Sequence, residues 1–450
     1  MARKKIGYLC QNCGNDFNTW SGQCPSCQEW NSLVEWKVNK ASLMPGKDNY
    51  HGLSVISLDS VAAADYKKIE TGNKGFDDFL GGGLVPGGVI LLAGEPGVGK
   101  STFILQVAQN WAGLNGKVLY ISGEESPAQI ALRAVRLEKG NSGIYILNCQ
   151  NVEEALLSIE KENYSLLIVD SIQTIQTNSI DSPGGSILQL KATLNIIIQT
   201  AKSRSLPVIV IGHINKSGDI AGPKLLEHLV DTVLYLEKDI NEILRYLRAF
   251  KNRFGTVEET FIMRMTETGL KEVKNPGAIY LSDENSESPG LAVGAFLKGI
   301  RPILCEIQAL VKQSFAQVPK RLSSGIDNNR LQMLAAVTEK HANINLFEME
   351  IFSNVVGGQR VSDTGLDLPI IAALISAFLQ IPLPPKTFFC GEVGLIGEVR
   401  KCRLMEKRIN EAKSLGFKFF VAPIKKKKDV IAVQTVKQLR DLIQKQSIGR

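Results

Sequence analysis

Short apolar runs recur through the middle of the chain, at Val89–Ala93, Val118–Ser122, Leu166–Asp170 and Val208–Gly212, and helix-like stretches such as Phe103–Trp111 separate them. Strands alternating with helices predict a mostly parallel sheet covered on both faces. After about Pro276 the rhythm changes. Strands are expected at Leu291–Leu297 and Pro302–Val311, a helix around Asn328–His341, a strand near Asn345–Phe352 and a long apolar helix over Asp367–Gln380, which describes a separate α+β domain. Between Lys37 and about Ser57 the sequence turns polar and irregular, as a linker does. The pattern therefore divides the chain into residues 1–36, a linker at 37–57, an α/β domain at 58–275 and an α+β domain at 276–450.

Composition adds limits. A chain of 450 residues with 44% hydrophobic and 22% charged residues is an ordinary globular protein, too long for one core. Its first residues lack an apolar signal core, and the greasiest segment, Leu368–Pro384, is broken by prolines and too short to cross a bilayer, so a cytoplasmic location without membrane contact is expected. The net charge of +7 permits a polyanionic partner without requiring one.

The eight cysteines fall into two groups. Cys10/Cys13 and Cys24/Cys27 form two CxxC knuckles, each presenting two thiolates on a tight turn so that four sulfurs can close a tetrahedron around zinc. A rubredoxin-like iron site would use the same ligands, whereas a reducing cytosol argues against two disulfides. A closed four-thiolate site has no open coordination position, so its role is folding and recognition rather than catalysis. Trp20, Trp30 and Trp36 are expected to pack around the metal, while Cys149, Cys305, Cys390 and Cys402 read as buried thiols.

Gly94-Glu95-Pro96-Gly97-Val98-Gly99-Lys100-Ser101-Thr102 lies between an apolar strand and a helix. It is a phosphate-binding loop: glycines let successive N–H groups point at phosphate oxygens, and the helix adds its positive end. Lys100 would reach the β- and γ-phosphates of ATP, and Ser101 would ligate Mg²⁺. Asp170, closing an apolar strand, is the expected carboxylate partner of that Mg²⁺; the plainer reading of an Asp there is a helix cap. Ser122-Gly123-Glu124-Glu125-Ser126 places two carboxylates at the ligand-facing edge of the sheet. Glu124 is the first choice for the base that orients attacking water and Glu125 the reserve, although acidic residues also suit the start of a helix.

These motifs carry a resemblance. The cysteine knuckles, the phosphate loop, Ser122–Ser126, Gly212-His213, Ala221-Gly222-Pro223, Leu226-Glu227-His228 and Lys251-Asn252-Arg253-Phe254-Gly255 together resemble the RadA (Sms) family of bacterial DNA recombination and repair proteins, nearly end to end. The resemblance implies a RecA-like ATPase forming a homo-oligomeric ring, expected to be a hexamer, on single-stranded and branched DNA. It would drive branch migration alongside a RecA-type recombinase. Lys251 and Arg253 would then supply a cation to a neighbouring subunit's γ-phosphate, or contact DNA; a solvated basic turn is the plain alternative. His213 would sense the γ-phosphate and pass the signal to a DNA-binding loop around Asn215–Gly222, with Gln173–Lys191 as a second DNA-facing loop; a core histidine closing an apolar strand is the plain alternative for His213.

The last domain resembles the proteolytic domain of Lon, through Gly391-Glu392-Val393-Gly394-Leu395-Ile396-Gly397 and the passage Arg408–Pro423. Lon's chemistry needs a serine and a lysine base. Here Leu366 or Asp367 stands for the serine and Arg408 for the lysine, and arginine does not deprotonate. A non-proteolytic platform follows, with Lys425–Lys428 a candidate basic patch. The rivals are an ATP-dependent protease and a nucleotide-switched scaffold of the clock-protein kind.

Overall fold

The computed structural model describes residues 6–10, 16–26, 28–37, 67–137, 140, 142–180, 182–213, 224–239, 243–257, 259–274, 280–281, 288–424 and 429–448. Its contacts divide the chain into two units, Met1–Lys238 with Leu244–Glu272, and Asp239–Ile243 with Val273–Arg450.

The first unit begins with a three-stranded antiparallel sheet of β1 (Ile6–Cys10), β2 (Asp16–Phe17) and β3 (Leu33–Lys37) in the order β2-β1-β3. Cys10, Cys24 and Leu33 are its buried centre, with Tyr8 and Phe17 against them. The tryptophans do not provide the cover expected of them: Trp20 and Trp30 are 59% and 67% exposed and flank Gly22 at the surface. The side chain of Trp36, like Cys13, Cys27 and the linker 38–57, lies outside the described residues.

The ATPase core follows as α1 (Lys74–Leu80), β4 (Val89–Gly94), α2 (Lys100–Asn115), β5 (Val118–Ser122), α3 (Pro127–Arg136), β6 (Ile144–Asn148), α4 (Val152–Lys161) and β7 (Leu166–Asp170). It continues with α5 (Ile187–Arg204), β8 (Val208–His213), α6 (Lys224–Leu229), β9 (Thr232–Lys238), β10 (Leu244–Asn252), β11 (Thr260–Thr266) and β12 (Gly269–Glu272). Nine strands form one sheet in the order β12-β11-β10-β9-β4-β8-β7-β5-β6. β9, β4, β8, β7, β5 and β6 run parallel, and β9 through β12 pair antiparallel. Side chains alternate across a strand, so Ile90 and Leu92 join a core with Phe103, Trp111 and Ile130 of α2 and α3, while Val89 and Leu91 join Ala155, Leu190 and Ile197 of α4 and α5. This is the P-loop fold of the RecA kind, covered on both faces as the alternation of elements predicts.

Local signals start and stop the helices. Ser126 and Gln129 close a capping box around α3, with Pro127 in the first turn and Arg133 and Arg136 in the last. Lys68 fastens the beginning of this core: its ammonium donates to the carbonyls of Leu80 (3.2 Å), Gly81 (2.7 Å) and Phe254 (2.7 Å). Cys149, expected to be buried, is half-exposed just beyond β6, where its thiol donates to the Asn151 carbonyl.

The second unit contains β13 (Leu291–Lys298), β14 (Arg301–Gln313), β15 (Arg321–Ser324), α7 (Asn328–Ala342), β16 (Met349–Val355), α8 (Asp367–Leu379) and β17 (Thr387–Phe389). β18 (Glu392–Val393), β19 (Val399–Arg400), α9 (Met405–Ser414), β20 (Phe419–Ala422), β21 (Val430–Ala432) and α10 (Val436–Gln444) complete it. Seven strands form a mixed sheet in the order β15-β16-β14-β13-β17-β20-β21. α8 is the apolar helix of the sequence pattern; it is buried from Asp367 to Ala377, and no described helix is long and apolar enough to cross a membrane. β16 begins at Met349 rather than near Asn345 because the Asn345 side chain accepts from the Phe347 N–H, a local turn that delays the strand. The unit is α+β and Lon-protease-like. Lys425–Lys428 lies outside the described residues.

Candidate functional site

β4 ends at Gly94 and α2 starts at Lys100, so the phosphate loop spans the gap between a buried strand and a helix N-terminus. Gly97 and Gly99 take positive φ of 77° and 109°, conformations that curl the loop and that other residues avoid. Gly94 is required for a different reason: a Cβ there would stand 2.5 Å from the Leu236 carbonyl oxygen of β9. The buried Lys100 ammonium donates to the carbonyls of Gly94 (2.7 Å) and Glu95 (2.9 Å). Burial pulls this amine down to about 8, against the opposing pull of Asp170, Glu124 and Glu95. Arg245 of β10, itself buried, donates its Nε–H to the Val98 carbonyl (2.8 Å) and braces the loop from below.

Asp170 and Ser122 are register partners at the ends of β7 and β5, so the carboxylate and the Ser122–Ser126 turn meet at the same edge. The Asp170 carboxylate accepts a 2.5 Å hydrogen bond from Tyr120. Tyr120 is fully buried, and burial followed by the neighbouring Asp170 charge holds its hydroxyl far above the ordinary phenol range. Asp170 offers its carboxylate and Ser101, in the first turn of α2, its hydroxyl; both are hard oxygen donors of the type Mg²⁺ prefers.

The two adjacent glutamates part company. The Ser122 hydroxyl accepts from the Glu125 N–H and donates to the Glu125 carbonyl, a tight turn that sends the side chains in different directions. Glu125 turns inward to an ion pair with Arg133 of α3, its side chain 33% exposed. Glu124 is 46% exposed, accepts from the Ser171 hydroxyl at 2.6 Å and lies 3.5 Å from Nε2 of His213. Burial, then the nearby Lys100 cation, hold the His213 imidazole below its ordinary pKa. Lys100, Glu124, Asp170 and His213 thus form one electrostatic cluster at the carboxyl ends of the parallel strands, where ligands of such sheets bind.

Lys251 and Arg253 sit at the end of β10 and just beyond it. Lys251 donates to three carbonyls of its own chain, those of Glu227, His228 and Val230, and Arg253 meets Asp231 at 3.3 Å. Of the expected DNA-facing segments, 214–223 lies outside the described residues. Within Gln173–Lys191 the buried Gln189 amide donates to the carbonyls of Thr177, Ile180 and Ser182. In the N-terminal sheet the Ser26 N–H points at Cys24 Sγ (3.4 Å), a donor that suits a metal-bound thiolate, and Cys10 Sγ lies 3.2 Å from Ser32 Oγ.

Where Lon would carry its dyad, Arg408 is wholly buried. It donates to both oxygens of Asp363 (2.9 and 2.7 Å) and to the carbonyls of Arg403 and Ala295. The residues facing it include Asp363 and Gly365, where an added Cβ would come within 2.5 Å of the guanidinium; Asp367 is instead paired with Arg330, and the Leu366 N–H donates to the Asp363 carbonyl. α8 begins at Asp367 and turns its carboxylate to Arg330 of α7.

Sequence reasoning missed Tyr120, Ser171, Arg133 and Arg245. Tyr120 had a signal, a phenol in the middle of an entirely buried strand, which must find an acceptor.

Family profiles match three segments: a rubredoxin metal binding domain at residues 8–35, an AAA domain at 77–219 and the subunit ChlI of Mg-chelatase at 305–426. The DNA repair protein RadA of Bacillus subtilis is 40% identical over 427 residues, 94% of this chain and 93% of its own. That of Pseudomonas aeruginosa is 41% identical over 426 residues, covering 94% of each. That of Escherichia coli is 37% identical over 450 residues, covering 98% of each. A KaiC-like protein from Pyrococcus horikoshii superposes with a TM-score of 0.39 at 19% identity over 46% of this chain and 99% of its own, a likeness too slight to bear on mechanism.

Proposed function

Because this chain belongs to the RadA family of DNA repair proteins, we propose that it is a DNA-dependent ATPase that works as a homo-oligomeric ring, a hexamer, on single-stranded and branched DNA in the cytoplasm. It hydrolyses ATP in DNA repair and recombination, and the work done is branch migration of recombination intermediates beside a RecA-type recombinase. The observation that carries this reading is the convergence of Lys100, Asp170, Glu124 and His213 on the phosphate loop.

In this reading the loop N–H groups of Gly94–Thr102 cradle the phosphates, and Lys100 exchanges its two carbonyl acceptors for β- and γ-phosphate oxygens. Ser101 and Asp170 hold Mg²⁺, which supplies charge neutralisation between the phosphates when bound. Glu124 orients the attacking water, and its neighbours decide why it rather than Glu125: Glu125 is committed to Arg133, whereas Glu124 is half open and meets the Ser171 hydroxyl and the His213 imidazole. His213, 3.5 Å from Glu124, would sense the γ-phosphate through that contact. A cation from Lys251 or Arg253 of a neighbouring subunit completes the charge around the transferring phosphoryl group. Zinc on Cys10, Cys13, Cys24 and Cys27 shapes the N-terminal module as a recognition element.

The test is steady-state ATP hydrolysis with and without single-stranded DNA, for the wild type and Lys100→Ala. Stimulation by DNA that weakens as salt rises, and is lost with Lys100→Ala, is the expected result. Hydrolysis indifferent to DNA would overturn the motor reading.

A further inference from the structure

Lys251 and Arg253 are two residues apart, yet the fold puts them in different positions. Along β10, Ala249 pairs with Leu234 and Lys251 with the next residue of β9, Val233, so Phe250 is an extra residue, a β-bulge. Ala249 faces the core that holds Leu92 and Phe261. Phe250 turns to the opposite side, where its ring meets Tyr235 edge-on, and the bulge lets Lys251 point to that side as well. There the Lys251 ammonium donates to the carbonyls of Glu227 (2.9 Å), His228 (3.2 Å) and Val230 (2.7 Å), at the C-terminal end of α6. Those are carbonyls a helix leaves without donors of its own, and a cation suits that end of its dipole. α6 in turn carries Glu227, whose carboxylate accepts from the Tyr235 hydroxyl at 2.5 Å, and Tyr235 is the register partner of Ala93 at the start of the phosphate loop. Arg253 has a looser setting: one 3.3 Å contact with Asp231 and a side chain 53% exposed.

We propose that Lys251 is a positioning residue acting within its own subunit, tying α6 and Glu227 to the sheet beside the phosphate loop, and that Arg253 alone is the cation offered to a neighbour. The Arg253 half rests on the cross-subunit reading given above; the Lys251 half does not.

Two experiments on the full-length protein separate these halves. Amide hydrogen exchange without nucleotide, for wild type, Lys251→Ala, Lys251→Gln and Arg253→Ala, should show α6 exchanging about tenfold faster in both Lys251 variants and at wild-type rates in Arg253→Ala, with β4 and α2 unchanged throughout. Unchanged α6 exchange in the Lys251 variants, or a rise spread over the whole unit, would overturn the assignment. In the second experiment, inactive Lys100→Ala subunits are mixed with either Lys251→Ala or Arg253→Ala subunits, with co-assembly verified by two affinity tags, and DNA-stimulated hydrolysis is measured. Recovery is expected only with Arg253→Ala, because Lys100→Ala subunits can lend Arg253 across a boundary but cannot repair another subunit's α6. Recovery with Lys251→Ala would refute the intrachain role. Recovery in neither mixture, with α6 still deprotected, supports the Lys251 assignment and removes the cross-subunit reading.

Discussion

The Lys100 amine, pulled down to about 8 by burial, makes nucleotide binding a protonation event. Phosphate charge raises the pKa of the bound amine, so binding takes up protons where the free amine is partly neutral, around pH 8–9, and takes up none from this group near pH 6. Calorimetry in two buffers of different ionisation enthalpy reads this directly; equal apparent enthalpies at pH 8.5 would count against it. Glu124→Gln is expected to lower turnover by about 100-fold or more while nucleotide affinity stays near normal, as for a residue acting only on the attacking water. Glu125→Gln should leave turnover closer to normal and cost about 1–2 kcal/mol of stability through the Arg133 contact. Tyr120→Phe should fold and bind nucleotide without Mg²⁺ as the wild type does, while its Mg²⁺ affinity, titrated by calorimetry, weakens by about tenfold because Asp170 loses its orienting donor. The position of Lys100 and Ser101 at the start of α2, which the loop motif fixes in spacing, was legible in the sequence. Which of two adjacent glutamates faces the site was not, because that depends on the Ser122 turn and on Arg133 eight residues later.

At the level of elements, the strands of the parallel sheet were legible because each is a short apolar run bounded by turns, and α8 because its apolar length leaves it no place but the interior. The bulge at Phe250 was not: nothing in Leu244–Asn252 marks where a strand will slip by one residue, since the slip is set by what β9 and α6 offer. Nor was the burial of Arg408, whose acceptors come from residues up to 113 positions away. Its pair with Asp363 joins α9 to the turn before α8. Breaking that pair with Arg408→Ala should cost about 3–5 kcal/mol, since it strands a carboxylate whose partner was wholly buried; replacing both residues by apolar ones of similar size should cost less than the single change. Urea denaturation of the three proteins compares them, and a harmless Arg408→Ala would show that the pair has little structural weight.

On the scale of the whole molecule, each of the two units has its own sheet and its own core. Differential scanning calorimetry should accordingly show a transition that ATP raises and another, lowered by Arg408→Ala, that ATP leaves in place. A single transition moved by both would contradict this. The change of rhythm near Pro276 announced the second unit in the sequence. Lys68 adds a mechanical consequence. Its ammonium clamps the chain arriving from the N-terminal side to the end of α1 and to Phe254, the neighbour of Arg253. Tension on the chain that leads to the cysteine module would therefore be delivered one residue from Arg253, the cation proposed for the next subunit.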